Sequence, residues 1–596
     1  MLRPLILSLF LAASGALAAP PDIFVAYPND GRVVAFDHVL LEGSVPAGAS
    51  LTLDGRPIDV GSDGLFIEWV PLRTGPNLLV LESRLGSETS RRELRVVSQP
   101  VLPLPETPTA IVAGSVQPAE NRRVHDSQGA TVQVSFRGSP GGRASFTVGG
   151  RGPYPMLERN PENFPGSVDP QDPAAARRRT AGIYEGSLVL APGERLEESA
   201  VTVSLTGRDG RTVTQTAAGR VAALPAAQPR VGMTTGTAVI RNAPGRAYIL
   251  YPKAGIKFVI SGEDGNTYLS PIAPGQSVAI LKNQVRLLPE GAAVPRVFFS
   301  TIRTERKDGL TEVRFELPDL VPFSVEQSAQ PGHQRLTVRL YNTFSDVDYI
   351  ISDFPDEVVR DIRWVQEQDG VFRAEIDLRG NQQWGYTTAY QGSTLVLGIK
   401  HPPRVNRSRP LEGRRITVDP GHGGSEFGGA GSLRVPEKDI VLDISLRLAR
   451  KLEARGAHVT LTRTADVTVP LAERPLIAER SGAEVLISVH ANAIPDGVDP
   501  RRPKGAGVYY FHPQARFLAD TLQRALLEGV PQVGNDGVHY QNLALTRPAA
   551  QLSVLVETAF LTHKENLRLL MSNAGKERLA ESMAVGLERF FAFQNH

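Results

Sequence analysis

The chain has 596 residues, too many for one hydrophobic core, so we expect several domains. Its 65 Lys and Arg residues nearly balance its 63 Asp and Glu residues, and the formal net charge is +2. With no basic excess and no nucleic-acid motif, the sequence excludes a nucleic-acid partner. It contains no cysteine, which excludes disulfides and a cysteine nucleophile. The 56 glycines and 46 prolines favour short strands and turns before residue 437.

The amino terminus is typical of a secretory signal peptide. Met-Leu-Arg precedes an apolar run from Pro4 to Leu11, and Ala16-Leu17-Ala18 has the small-x-small pattern of a cleavage site. The apolar run is short of the ~20 residues that a spanning helix needs. We therefore expect residues 1–18 to be removed on export. The mature protein is then expected in the periplasm or cell envelope, with no membrane span.

The part of the chain that follows predicts four β-rich domains. Turn signals such as Asp54-Gly55 and Asp63-Gly64 separate short alternating runs, and residues 100–108 (PVLPLPETP) are typical of a semi-rigid linker. The predicted domains are an Ig-like β-sandwich at 22–99, a β-rich domain with a polar insertion (about 152–180) at 110–225, a small SH3-like β-barrel at 232–290 and a strand-rich domain at 296–403.

From Arg415 the pattern changes to strands that alternate with helices. Apolar residues recur at i+4 through the segment 436–455, which predicts a helix that ends at Gly456. Further helices are predicted at 471–481, where Pro475 must bend or restart the helix, at 514–529 and at 576–593. Residues 413–594 thus predict an α/β domain with a mainly parallel sheet, so the fold class is multidomain, all-β and then α/β.

Two histidines and two glutamates lie just beyond apolar, strand-like runs of this last domain. They are His422 in ITVDPGHGG, Glu437 in VPEKDIVL, His490 in VLISVHANA and Glu557 in LSVLVETAF. Open α/β sheets bind ligands beyond the carboxyl ends of their strands, so we expect these side chains at one edge. Two imidazoles and one carboxylate can hold one metal ion and leave a position open for water, as in catalytic zinc sites. The sequence therefore predicts a zinc hydrolase.

Other histidines of the domain are weaker candidates. His458 begins a strand far from the predicted edge. We place His512, His539 and His563 near that edge, where one of them could assist the reaction. Taken singly, a histidine at a strand end or a glutamate at a helix start is more often structural, and the prediction depends on four such residues together.

Several motifs, in order, carry a family resemblance. VDPGHGG, EKDIVLDISLRLARKLEARGAHVTLTR, LAER, ISVHANA and VLVETAFLTH resemble the zinc-dependent N-acetylmuramoyl-L-alanine amidases of the Amidase_3 type over about residues 415–593. The resemblance implies that His422, Glu437 and His490 hold Zn²⁺ and that Glu557 is the catalytic base. The sequence departs from the family pattern at Pro475 and at His563. The neighbouring region 296–403 resembles the AMIN module, which targets such amidases to the envelope.

The implied reaction is hydrolysis of the amide bond between N-acetylmuramic acid and L-alanine of peptidoglycan. Two alternatives stay open: a zinc peptidase that cuts stem or cross-link peptides, and a non-catalytic wall-binding scaffold. Peptidoglycan is the expected partner, and the β-rich domains are expected to bind wall or envelope and division proteins.

The interval between His512 and Gln551 bears on regulation. Some division amidases of the family carry a long helical insertion there that plugs the metal site. Here one helix is predicted at 514–529, and Pro531, Gly534 and Pro548 leave no room for a second long one. We therefore predict an accessible site whose control comes from targeting.

Overall fold

The structure is a computed structural model that describes residues 22–125, 131–160, 180–191, 193–224, 230–243, 247–330, 332–352, 356–429, 431–494, 496–500 and 505–594. The predicted signal peptide and most of the predicted polar insertion lie outside these residues. In the described part of the chain no helix has the length and apolar character needed to cross a membrane. Strands dominate up to residue 400, and all described α-helices lie beyond residue 436, which confirms the predicted fold class.

The first described domain contains two sheets packed face to face. Their orders are β1-β3-β6 and β2-β8-β7-β4-β5. The strands are β1 (Phe24–Tyr27), β2 (Arg32–Val34), β3 (His38–Ser44), β4 (Ser50–Leu53), β5 (Arg56–Ile58), β6 (Leu65–Pro71), β7 (Gly75–Leu85) and β8 (Glu88–Ser98). We call this domain the N-terminal sandwich.

The sheet β1-β3-β6 is buried on both of its faces. Val39 and Leu41 of β3 pack into the core of the N-terminal sandwich. Their neighbour Leu40, with Leu65 and Ile67 of β6, belongs instead to the core of the C-terminal domain. Because successive side chains of a strand point to opposite faces, one sheet serves two cores. The N-terminal sandwich is therefore packed directly on the C-terminal domain.

The next two predicted domains have fifteen strands, of which twelve form one continuous sheet and three form a sheet of their own. Strand β9 pairs with β15 on one side and with β20 on the other, which joins the regions 110–225 and 232–290. The predicted insertion starts too early, because residues 152–158 belong to strand β12. The strands are β9 (Arg122–Val124), β10 (Thr131–Arg137), β11 (Arg143–Val148), β12 (Arg151–Glu158), β13 (Ile183–Val189), β14 (Leu196–Thr206), β15 (Thr212–Ala223), β16 (Arg230–Thr234), β17 (Ile240–Ala243), β18 (Tyr248–Leu250), β19 (Lys257–Ile260), β20 (Gly262–Asp264), β21 (Thr267–Ala273), β22 (Gln276–Leu281) and β23 (Val285–Leu287).

The region 296–403 has two main sheets, of orders β30-β25-β26-β34-β33 and β27-β28-β32-β31, around one core. Trp384 belongs to the core of the C-terminal domain instead, where it stacks on Phe591 with ring centroids 5.8 Å apart. The strands are β24 (Val297–Phe299), β25 (Ile302–Lys307), β26 (Leu310–Phe315), β27 (Phe323–Gln330), β28 (His333–Tyr341), β29 (Thr343–Ser345), β30 (Ile350–Ile351), β31 (Val359–Gln368), β32 (Val371–Leu378), β33 (Tyr386–Gln391) and β34 (Thr394–Lys400).

The C-terminal domain is built on a six-stranded sheet of order β36-β35-β37-β40-β38-β39. The first four strands of this order are parallel, and β38 and β39 run in the opposite direction. This confirms the mainly parallel sheet. The elements are β35 (Arg415–Pro420), α1 (Glu437–Ala454), β36 (His458–Leu461), α2 (Glu473–Arg480), β37 (Val485–Asn492), β38 (Ala506–Tyr510), α3 (Arg516–Gly529), β39 (Asn535–Tyr540), β40 (Leu552–Phe560), α4 (Lys564–Met571) and α5 (Asn573–Phe593).

The predicted helices agree with the structure to within a few residues. Helix α1 buries Ile440, Ile444, Leu448 and Leu452 on one face, as the i+4 spacing predicts. Helix α2 starts at Glu473 rather than at 471. Pro475 therefore lies in its first turn, where the backbone N–H has no partner within the helix, so that one continuous helix can accommodate it.

A buried carboxyl group lies between the N-terminal sandwich and the C-terminal domain. Glu42 of β3 is 4% exposed, and its Oε2 accepts a hydrogen bond from Ser432 Oγ at 2.9 Å. Burial raises the pKa of the Glu42 carboxyl from 4.5 to about 8, although the Ser432 hydroxyl opposes the shift. The folded protein thus keeps a proton on Glu42 that the unfolded chain releases.

We predict that this proton makes the contact between the two domains pH-dependent. The pKa of this carboxyl is higher in the folded state than in the unfolded chain, so its contribution to the free energy of unfolding is complete below pH 4.5. That free energy then falls as pH rises from 4.5 to about 8. Glu42→Gln keeps an acceptor for Ser432 but cannot ionise. Above pH 8 the variant should exceed the wild type by on the order of a few kcal/mol.

Scanning calorimetry of the full chain from pH 5 to 9 measures this effect. Glu82→Gln, in a sandwich carboxylate whose side chain is 57% exposed, is the matched control. Parallel pH profiles for wild type and Glu42→Gln would contradict the assignment of a buried proton to Glu42.

Candidate metal centre

Three potential metal ligands meet at the carboxyl edge of the parallel sheet. His422 follows β35, His490 lies near the end of β37, and Glu437 is the first residue of α1. Their ligand atoms all lie within 4.8 Å of one another. Glu437 Oε2 is 3.2 Å from His422 Nε2, and Glu437 Oε1 is 3.0 Å from His490 Nδ1. One carboxylate therefore engages both rings.

Glycines allow the backbone to approach this cluster closely. A Cβ atom on Gly421 would lie 2.3 Å from His490 Cε1, and one on Gly428 would lie 2.4 Å from Glu437 Oε2. His422 itself has a φ of 57°, in the left-handed region that side chains other than glycine rarely adopt. Such backbone conformations persist where the surrounding structure enforces them, often at functional sites. The glycines of VDPGHGG and of the segment before α1 thus serve the geometry of the cluster.

Backbone amides fix the Glu437 carboxylate. Gly429 N–H donates to Oε2 at 2.8 Å, and Ala491 N–H donates to Oε1 at 3.1 Å. Each oxygen therefore has one backbone donor and one imidazole neighbour. Such partners orient metal ligands and keep the carboxylate ionised.

Burial alone would raise the pKa of the Glu437 carboxyl, but the hydrogen bonds from the two rings outweigh burial and lower it. Burial alone would likewise lower the pKa of the His490 ring, but Glu437, with a smaller effect of Glu557, raises it to about 9. A metal ion that binds here must displace the ring proton, so metal binding releases protons.

Two buried arginines hold the segment that carries His422. Arg474 donates to the carbonyl of His422 at 2.6 Å and to Asp419 Oδ1 at 2.9 Å. Arg463 donates to the carbonyl of Gly421 at 2.7 Å. Arg463 and Arg474 lie within the quoted motifs, but no role was predicted for them. Asp419 could have indicated one, because a charged residue inside an apolar strand needs a buried partner.

Glu557 lies directly across from His490 in the pairing of β37 with β40. Adjacent strands are about 4.8 Å apart, so its carboxyl group lies beside the cluster. Burial raises the pKa of this carboxyl to about 8, with smaller contributions from Glu437 and Asp536. Its Oε2 is buried and has no hydrogen-bond partner in the described part of the structure. A water molecule or a substrate N–H at the cluster would satisfy this oxygen.

The other histidines lie outside the cluster, and two of them, His512 and His539, have contacts of their own. His512 follows β38, which runs antiparallel to β40, so it lies at the opposite edge of the sheet and not where we expected it. Its Nε2 is 2.7 Å from the carbonyl of Arg547. His539 stacks on Tyr509 and lies 3.1 Å from Asp536 Oδ2. His563 is the residue before α4, and His458 is exposed at the start of β36.

The structure agrees with the prediction that no second long helix follows α3. Between His512 and Gln551 only a 3₁₀ turn, Pro531–Val533, and strand β39 come after it. Glu528 pairs with Arg589 and not with the cluster. The side chains of His422, His490 and Glu437 are 29%, 17% and 6% exposed, and the accessible site stays a prediction.

The donor set fits a divalent metal of the zinc type. Two imidazoles and one carboxylate are the protein ligands of several catalytic zinc sites, in which a fourth position takes water. Glu557, across from His490 in the pairing of β37 with β40, adds a second carboxyl group next to this donor set. The chemistry of the side chains therefore supports a metal-assisted reaction with water.

Comparison with known proteins identifies the domain. Residues 416–589 match the family model described as N-acetylmuramoyl-L-alanine amidase. The C-terminal domain thus matches the amidase family. The resemblance predicted from its motifs is confirmed. The match does not include residues 296–403, so the AMIN-like character of that region stays a prediction.

The chain is also similar to several individual proteins. LytH, a probable cell wall amidase of Staphylococcus aureus, is 30% identical over 190 residues, which are 32% of this chain and 62% of LytH. The solved amidase AmiC2 of Nostoc punctiforme is 32% identical, and the match covers 31% of this chain and 98% of that chain, with a TM-score of 0.29. An N-acetylmuramoyl-L-alanine amidase of Clostridium difficile 630 is 28% identical, covers 30% and 97%, and also has a TM-score of 0.29.

We predict that removal of one ligand side chain abolishes tight metal binding. His490→Ala in the full chain should weaken Zn²⁺ binding more than ~100-fold, beyond the effect typical of residues that only support a ligand. Wild-type affinity should rise with pH up to about 9, because the His490 proton must leave. Competition with a chromophoric chelator at several pH values measures both effects. His458→Ala, an exposed histidine, is the control, and equal affinity of the His490 and His458 variants would contradict the assignment.

Proposed function

We propose that this protein is a zinc-dependent N-acetylmuramoyl-L-alanine amidase that hydrolyses the bond between N-acetylmuramic acid and L-alanine in peptidoglycan. One observation carries the proposal: Glu557, whose buried Oε2 has no hydrogen-bond partner in the described part of the structure, lies across from His490, one of three converging residues that could hold a metal ion. The match of residues 416–589 to the amidase family supports the choice of substrate. The chain spans 62% of the length of its relative LytH, so the activity is proposed for this chain and not transferred.

His422, Glu437 and His490 would hold the metal ion. Zn²⁺ bound there would act as a Lewis acid, which polarises a carbonyl and lowers the pKa of water to ~7. The imidazoles bind in their neutral form, and Glu437 contributes the charge that offsets part of the ion's own. Gly429 and Ala491 keep the carboxylate oriented through their N–H groups.

Glu557 is proposed as the general base. Its carboxylate accepts a proton from the attacking water, whose oxygen adds to the lactyl carbonyl carbon. The same carboxyl group then delivers that proton to the nitrogen of L-alanine as the carbon–nitrogen bond breaks, so that a neutral amine leaves. A raised pKa suits a group that takes up and releases a proton near neutral pH. Burial, the main cause of this shift, also keeps bulk water from competing for the proton.

The β-rich domains are proposed to bind peptidoglycan or envelope and division proteins, and the protein is proposed to act after export, in the periplasm or cell envelope. Such binding would bring the accessible active site to its substrate. The peptidase and scaffold alternatives differ from the amidase in their products, and the following experiment distinguishes all three.

The products of digested peptidoglycan test the activity. The full chain should release peptides whose free amino terminus is L-alanine and glycan strands whose lactyl groups carry free carboxylates. Mass spectrometry of the digest, with and without a zinc chelator, measures this. A new amino terminus within the peptide stem would indicate the peptidase. An unchanged substrate in the presence of zinc would indicate the scaffold.

The role of Glu557 has its own test. Glu557→Gln should retain Zn²⁺ but lose turnover at least ~100-fold, since the amide cannot accept the proton. The equivalent isosteric change at Glu484, which pairs with Arg414 at the opposite edge of the sheet, should leave turnover near wild type. Turnover of the Glu557→Gln enzyme within tenfold of wild type would exclude Glu557 as the base.

A further inference from the structure

We infer that the N-terminal sandwich positions the metal ligands, with Glu42 acting through Ser432 as a positioning residue. The inference rests on the metal centre proposed above. Two segments carry it: the Glu437 loop, residues 431–436, which leads into α1, and the His490 loop, residues 496–500, which lies just beyond β37. The N-terminal sandwich contacts both.

The first contact is on the Glu437 loop. Ser432 is fully buried and donates its hydroxyl to Glu42 Oε2 at 2.9 Å. Two residues further, Arg434 pairs with Asp22 and lies over the ring of Phe24, 4.6 Å from its centroid. Polar, ionic and cation–π contacts from the sandwich thus fix this loop within five residues of a metal ligand.

The Glu437 loop transmits this position to the ligand itself. Arg434 N–H donates to the carbonyl of Gly431, which closes a turn, and Glu437 N–H donates to the carbonyl of Gly429. Gly429 N–H in turn donates to Glu437 Oε2. A displacement of Ser432 would therefore shift the hydrogen bonds that orient the carboxylate between the two histidines.

The second contact is on the His490 loop. Tyr27 donates its hydroxyl to the Asp496 carboxylate, with oxygen–oxygen distances of 2.6 and 2.7 Å. Arg32 adds a bond to the same carboxylate at 3.3 Å, and the Asp496 side chain is 8% exposed. The ring of Phe36 fills the space above Gly497, where a Cβ atom would lie 2.5 Å away. The sandwich thus also holds the segment that follows β37, the strand that carries His490.

Contact between the two domains does not by itself explain why a carboxyl group is buried at Glu42. A buried carboxyl group with one hydrogen-bond partner costs free energy that an apolar residue of similar size would not. The same two domains also contact each other elsewhere without touching these loops, since Asp63 pairs with Arg568 of α4 at 2.8 and 3.2 Å. Asp63 therefore offers a control that weakens the docking of the sandwich but leaves both loops alone.

Co²⁺ provides the readout, because its visible spectrum reports the ligand geometry independently of turnover. In the full chain, Glu42→Ala and Ser432→Ala should each weaken Co²⁺ binding about tenfold, the low end of the effect of outer partners of metal ligands, and should alter the spectrum. The double variant should be no weaker than either single one, because both remove one interaction. Glu42→Gln, which still accepts from Ser432, should restore wild-type binding. Asp63→Ala should leave affinity and spectrum unchanged.

The outcomes separate this inference from the proposed function. If Ser432→Ala binds Co²⁺ with wild-type affinity and a wild-type spectrum, the inference is wrong. This result is decisive even if Glu42→Ala does not fold. An equal loss in Asp63→Ala would also overturn it, because docking in general would then be responsible. If His490→Ala binds Co²⁺ like the wild type, the metal centre itself is wrong, and the inference fails together with it.

Discussion

The contact of one carboxylate with two imidazoles is the constraint on which the rest of the site depends. Glu437 can reach both His422 and His490 only because it starts α1 at the edge where β35 and β37 end. The parallel sheet brings the two histidines to that edge, and the pairing of β40 with β37 brings Glu557 beside them. The positions of the proposed metal ligands and of the proposed base therefore both follow from the direction of the strands.

The same constraint gives the N-terminal sandwich a second role. One of the two N–H groups that hold the Glu437 carboxylate belongs to Gly429, shortly before the Glu437 loop, and that loop contacts Glu42 and Asp22 of the sandwich. The C-terminal core also includes Leu40, Leu65 and Ile67, so the two domains share apolar packing.

Local patterns in the sequence predicted the C-terminal domain well, since the i+4 spacing of α1 and the strand-end motifs are short-range signals. The orientation of β38 was not predictable in this way, and His512 was therefore expected at the wrong edge. The sequence did contain one overlooked sign of domain contact: HVLLEGS in β3 lacks the alternation of a strand with one solvent face, and every residue after His38 is buried. The pairing of β9 with β20 joins segments far apart in the chain, and no local pattern specifies it.

Anomalous diffraction at the zinc edge, from crystals of the full chain grown with Zn²⁺, tests the central claim most directly. The account predicts one strong peak about 2.0–2.1 Å from a nitrogen of His422 and of His490 and about 2.0–2.2 Å from a Glu437 oxygen. It also predicts that a solvent oxygen completes the coordination, within hydrogen-bond distance of Glu557 Oε2. A peak elsewhere, or a zinc ion closed off by a fourth protein ligand, would contradict it.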